Sequence, residues 1–171
     1  MSDDESADAF DPDELETWSA VATLLEWLPA ALDAQLQADS GISHFEFGIL
    51  FALSEAEERS LRMSELAGYA NSTLSRLSRA VARLERKLWV RRALDPGDGR
   101  ITIATLTDEG QAAVRAAAPG HVGLVRRLVF ESLTRGQARQ LREGSRRITA
   151  AIRAEGDWRP GESTSAGRGR P

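Results

Sequence analysis

Arg76, Arg79, Arg83 and Arg86 recur at three- and four-residue spacing within "STLSRLSRAVARLERK", Ser72 to Lys87. At about 100° per residue these arginines share one side of a helix with Ser72 and Ser75. Leu74, Leu77, Val81, Leu84 and Leu88 take the opposite side. The polar side carries no acid. A solvated helix face usually mixes signs, because acid–base pairs one turn apart stabilise the helix. An arginine-only face repels itself and is better stabilised by an anionic partner. Guanidiniums form forked hydrogen bonds to phosphates and base edges, and the small hydroxyl residues Ser72, Thr73 and Ser75 allow close approach. This suits a helix whose first turns enter the major groove of double-stranded DNA. The plain alternative is a solvated face in a chain where arginine supplies 21 of 22 basic residues.

A second stretch, "ALDPGDGRITIATLTDEG" from Ala93 to Gly110, places Arg100 just past the tip of a tight turn. Pro96, Gly97 and Gly99 let the chain reverse between two strand-like runs, Trp89 to Leu94 and Ile101 to Leu106. A narrow loop carrying an arginine can enter the minor groove, where negative potential is focused. Asp98 cannot meet phosphate, but it can accept a hydrogen bond from Arg100 and hold that side chain in place. In a lone hairpin the same residues read more readily as an ordinary turn with a paired surface Asp and Arg; after an arginine-faced helix the groove reading leads.

The elements that must position these groups are legible in the pattern. Asp11-Pro12-Asp13-Glu14 starts a helix, with Asp as the cap and Pro at the first position. Trp18, Val21, Leu25, Leu28 and Leu32 carry it to about Gln37, with a kink expected at Pro29 and a stop at Gly41. Ser43-His44-Phe45-Glu46 is a capping box that opens a second helix to about Glu57. A short third helix begins near Ser64, and the arginine-faced helix runs from about Ser72 to Lys87. Thr107, followed by Asp108 and Glu109, caps a fifth helix, with a kink expected at Pro119-Gly120. Thr134 to Gln137 is another capping box and opens the last helix, which carries Leu141, Ile148 and Ile152.

Charge is segregated along the chain. Residues 1–58 hold 15 acids and no base, whereas residues 59–103 hold 10 bases and 4 acids. The net charge of −4 therefore conceals a local basic surface on an acidic body. There is no cysteine, which removes disulfides, thiolate nucleophiles and cysteine zinc sites. No apolar run approaches the ~18 residues of a membrane span, and the acidic N-terminus is not a secretory signal, so a cytoplasmic location with no membrane partner is expected. His44 and His121 stand far apart with no metal-ligand spacing and read as structural or surface residues. No nucleophile elbow or phosphate-binding glycine loop is present, so no enzyme, cofactor or metal is expected.

Helices followed by a two-stranded hairpin are the order of a winged helix-turn-helix. "SELAGYANSTLSRLSRAVARLERKLWVRR" followed by "DPGDGRITIATLTDEG" resembles the winged helix-turn-helix of the MarR family of bacterial transcriptional regulators. The "RLERKLWV" exit and the Asp-x-Arg wing running into "LTDEG" carry the resemblance, which spans about residues 43–133. It implies a recognition helix at Ser72–Lys87, Arg100 in the minor groove with Asp98 orienting it, and a homodimer built from the first, fifth and sixth helices. Leu88 stands where the family often has Gly, Asn71 at a turn position often held by Gly, and Leu74 in place of a common Pro.

The expected fold is mainly α with a small β-hairpin wing. A lobe at about 43–107 is flanked by dimerisation helices at about 11–38 and 107–154, with a disordered arm at 1–10 and a disordered tail at 155–171. The expected function is a homodimeric repressor on a pseudo-palindromic operator, released by a small aromatic or phenolic ligand. Relatives of this kind often bind such ligands between the dimer helices and the lobe, which makes Trp18, Trp27, Phe45 and Phe47 pocket candidates beside their plainer role in packing. The alternative is a protein–protein module that keeps the winged-helix shape.

Overall fold

The computed structural model describes residues 9–155. The expected arm and tail fall almost wholly on residues 1–8 and 156–171, outside the described residues. Helix α1 spans Pro12–Ser40, α2 His44–Glu55, α3 Met63–Tyr69, α4 Leu74–Arg86, α5 Asp108–Val125 and α6 Arg135–Ala154. Three strands, β1 Ser60–Arg62, β2 Val90–Leu94 and β3 Thr102–Leu106, form an antiparallel sheet in the order β1-β3-β2. The fold is thus mainly helical, with a small sheet whose β2–β3 hairpin is the wing.

The helix starts follow the capping chemistry read from the sequence. The side chains of Asp11, Ser43, Thr107 and Thr134 each accept a hydrogen bond from the backbone N–H three residues on. Gly41 ends α1 in the left-handed region, φ 62°, and returns its N–H to the Gln37 carbonyl. Helix α1 continues as one element through Pro29, and α5 through Pro119. The departure from α geometry comes later, in a π turn at Arg126–Phe130 that closes with Glu131 N–H on the Arg126 carbonyl.

The core sits inside the lobe. Ile49, Leu50 and Leu53 of α2, Leu66 of α3 and Leu77, Val81 and Leu84 of α4 are fully buried. Leu36 of α1 and Val114 and Ala117 of α5 close it from the helical side. Replacing any of these leucines by alanine is expected to cost roughly 2–5 kcal/mol. Helix α5 approaches the exit of α4 so closely that only Gly110 fits. A Cβ there would strike the Trp89 carbonyl and lie 2.7 Å from Leu106 Cδ1.

Beyond the lobe, α1 and α6 leave apolar surface uncovered. Leu15, Trp18, Leu24, Leu25 and Trp27 are exposed along α1. No residue of α6 is buried, and Leu141, Ile148 and Ile152 face outward.

Candidate nucleic-acid interface

Helix α4 begins at Leu74 because Thr73 caps it, its hydroxyl accepting the Arg76 N–H at 3.2 Å. The start differs from the expected Ser72. Asn71 takes a left-handed conformation, φ 44°, and turns Ser72 inward. Ser72 is only 3% exposed, and its hydroxyl donates to the Thr73 carbonyl, so it is not on the arginine face. Leu74 also departs from expectation. It lies at the edge of the apolar arc and is exposed, and the buried face is Leu77, Ala80, Val81 and Leu84. Leu88 lies past the helix end, exposed, at φ 63°. The chain therefore adopts the left-handed exit even without glycine.

The arginines do not all present themselves alike. Ser75, Arg79 and Arg86 are exposed and make no side-chain hydrogen bond or ion pair among the described residues. The Arg76 guanidinium lies over the Phe45 ring, 4.5 Å from its centroid. Arg83 turns back to α2, where its Nε donates to Glu46 Oε1 at 2.6 Å. Glu46 is buried and also caps α2 through the Ser43 N–H. Burial pushes its carboxyl up, but the Ser43 N–H and Arg83 outweigh this and hold it below the usual carboxylate range. Arg83 is thus partly committed to holding α4 against α2, a long-range pairing that the face pattern could not reveal.

In the wing, Asp98 grips Arg100 in a fork: Nε donates to Oδ1 and Nη2 to Oδ2, each at 3.0 Å. The Arg100 backbone N–H donates to Oδ1 as well, at 3.1 Å. Arg100 nevertheless remains 90% exposed. The fork holds the Asp98 carboxyl below its usual range, with a smaller contribution from Arg62. Arg62 belongs to β1, a strand that sequence reasoning missed because three residues carry no usable alternation. Its partner in register is Ile103, which places Arg62 at the wing end of the sheet.

The four pocket candidates separate. Phe45 lines a cleft of about 940 Å³ between α2, β1 and α3, together with Phe51, Leu61, Tyr69 and Arg76. Phe47, two residues on, is buried in the core and packs against Phe51 and His121. Trp18 and Trp27 are 50% and 75% exposed on α1 and do not line this cleft. Phe45 and Phe47 part company because positions two apart on a helix point about 200° apart. His44 and His121, distant in sequence, are in contact, with ring centroids 5.6 Å apart. No group of three or more His, Cys, Asp or Glu side chains that could hold a metal occurs among the described residues. No described helix is long and apolar enough to cross a membrane.

The family model described as "MarR family" matches residues 40–101, which contain α2 to the wing tip. Sco3205, a MarR family transcriptional regulator from Streptomyces coelicolor solved in complex with DNA, is 43% identical, with a TM-score of 0.85 over 90% of this chain and 99% of that one. The chain belongs to the MarR family of transcriptional regulators. AbsC, a MarR family transcriptional regulator from the same organism, is 31% identical, with a TM-score of 0.81 over 85% of this chain and 98% of that one. The transcriptional regulator BldR from Sulfolobus solfataricus is 27% identical, with a TM-score of 0.72 over 81% and 96% of the two chains. No curated protein matches this MarR-family chain.

Proposed function

We propose that this MarR-family regulator is a cytoplasmic homodimeric repressor that binds a pseudo-palindromic operator and is released by a small aromatic molecule. The observation that carries the DNA reading is the wing. A guanidinium paired in a fork with Asp98, yet 90% exposed, offers a cation just past the tip of a narrow hairpin. Beside it, α4 offers Thr73, Ser75, Arg76 and Arg79 at its N-terminal half, the end that meets base edges in helix-turn-helix docking. Sco3205, which is similar over nearly its whole length, was solved on DNA. Dimerisation rests on the uncovered apolar residues of α1 and α6, a surface that a two-fold partner would bury. In this reading residues 11–154 act as one unit, with the lobe at about 43–107 and the dimer helices on either side.

The test uses the full chain. Fragments of genomic DNA captured by the purified protein should share a two-fold symmetric sequence with half-sites about one helical turn apart. A reporter placed behind that sequence should rise when the gene for the regulator is deleted. Sedimentation should give twice the chain mass. Failure to retain any sequence selectively would favour a protein–protein module instead.

A further inference from the structure

The cleft between α2, β1 and α3 is lined by aromatic and acidic side chains beside one arginine. We propose that it binds a planar aromatic cation, which takes the place of the Arg76 guanidinium on Phe45. This deepens, and rests on, the reading of the chain as a regulator released by a small aromatic molecule.

Three aromatic rings line the cleft: Phe45, Phe51 and Tyr69. Phe51, stacked on one side against Phe47, is 51% exposed, and Tyr69 is 75% exposed. Aromatic faces carry negative electrostatic potential and attract flat cations. One such contact is already made, because the Arg76 guanidinium, itself a planar cation, lies 4.5 Å above Phe45. Besides His44, the ionisable groups on the walls are Glu55, Glu57, Tyr69 and Arg76. Neither glutamate has an ion-pair partner among the described residues. An aromatic acid would meet one cation and two carboxylates, and a neutral aromatic would gain only stacking. A cation gains the rings and both glutamates, and its one adverse neighbour, Arg76, can move out on a flexible stem. A volume of about 940 Å³ admits a polycyclic ligand. Arg76 is in the first turns of α4, so occupancy of the cleft is coupled to the helix proposed to read DNA.

The experiment is calorimetric titration of the full-length, DNA-free protein at about pH 8. The probes are N-methylacridinium and anthracene carboxylate, similar in size and opposite in charge. The cation should bind at least about tenfold more tightly than the anion. Phe45→Leu should weaken the cation about fivefold to tenfold by removing the ring face. The double variant Glu55→Gln, Glu57→Gln changes only exposed groups and should weaken it by a similar factor, with an unchanged circular dichroism spectrum. Arg76→Ala gives the decisive sign. It should tighten cation binding severalfold, because the competitor on Phe45 is gone, whereas an anion site would be weakened. Tighter binding of the anion, weaker cation binding in Arg76→Ala, or no binding of either probe below millimolar concentration would overturn the proposal. Selective operator binding measured on the parent protein separates the two readings: if it persists while both probes fail, only the ligand assignment falls.

Discussion

Asp98 and Arg100 are joined by two parallel hydrogen bonds of 3.0 Å while the arginine stays almost fully exposed. Such a fork fixes the direction of a long side chain and so lowers the ordering cost of meeting a polyanion. Arg100→Ala removes one cation per subunit, two per dimer. Binding should weaken at every sequence, and the log–log salt slope should shrink by up to about 2, at ~0.9 per neutralised phosphate. The loss should be greatest where A·T pairs narrow the minor groove. Asp98→Ala should cost less, since it frees the arginine without removing it. Titrating labelled operator at several salt concentrations measures both, and an unchanged slope in Arg100→Ala would place the wing off the DNA.

Arg79 and Arg83 lie on the same face of α4, but among the described residues only Arg83 has a side-chain ion-pair partner, Glu46, and their alanine variants should separate accordingly. Arg79→Ala should leave stability within about 0.5 kcal/mol and relax base preference at one position by roughly 1–3 kcal/mol. Arg83→Ala leaves the buried Glu46 without its guanidinium. Because Arg83 is half-exposed, the expected cost is about 1–2 kcal/mol of folding stability. The Glu46 carboxyl then also rises, so the folded variant takes up its proton more readily than the parent and the stability gap between the two should narrow as pH falls through the carboxylate range. Urea melts at two pH values, together with operator titrations, distinguish the pair.

His121 is held below the ordinary histidine range by burial and, secondarily, by His44. Its Nδ1 is buried and has no hydrogen-bond partner. Around it stand His44 and Phe47 of α2, Gln35 and Asp39 of α1 crowding Gly120, and Arg126 and Glu131 in an adjoining cleft. The folded chain thus binds fewer protons here than the unfolded chain between the lowered value and 6.5. Stability is full above 6.5 and falls as pH drops below it. Glu46, Glu85 and Asp98 are all lowered carboxylates and titrate beneath this window. Melting temperature should therefore decline as pH falls below about 6.5, and His121→Phe should flatten that slope. An identical slope in the variant would show that the contact carries no proton linkage.

Leu88 adopts φ 63°, and its side chain is 70% exposed. A left-handed conformation costs a β-carbon-bearing residue roughly 1–2 kcal/mol, partly offset on substitution by the greater unfolded-state freedom of glycine. Little buried apolar area is at stake. Leu88→Gly should therefore stabilise the lobe by about 0.5–1 kcal/mol, a rise of a few degrees in melting temperature. Calorimetry of the two proteins checks it. A lower melting temperature would mean that the leucine side chain contributes packing in solution.

What the sequence determined by itself is what acts within one turn of chain. The caps at Asp11, Ser43, Thr107 and Thr134 bond three residues on, so the local order of residues alone placed those helix starts. The Asp98–Arg100 fork spans two residues and needs only the turn that Pro96, Gly97 and Gly99 make. Most of the apolar spacing of α4 was equally legible, because helical period and burial coincide at Leu77, Val81 and Leu84. The tertiary structure alone decided the rest. Arg83 meets Glu46 across 37 positions, His44 meets His121, and Ser60–Arg62 becomes a strand only because β3 is there to pair with it. Phe45 and Phe47 have the same residue type and nearly the same position, yet one lines a cleft and the other is in the core. Such outcomes depend on which faces of separate helices come together, and that is set by the packing of the whole lobe rather than by any local preference.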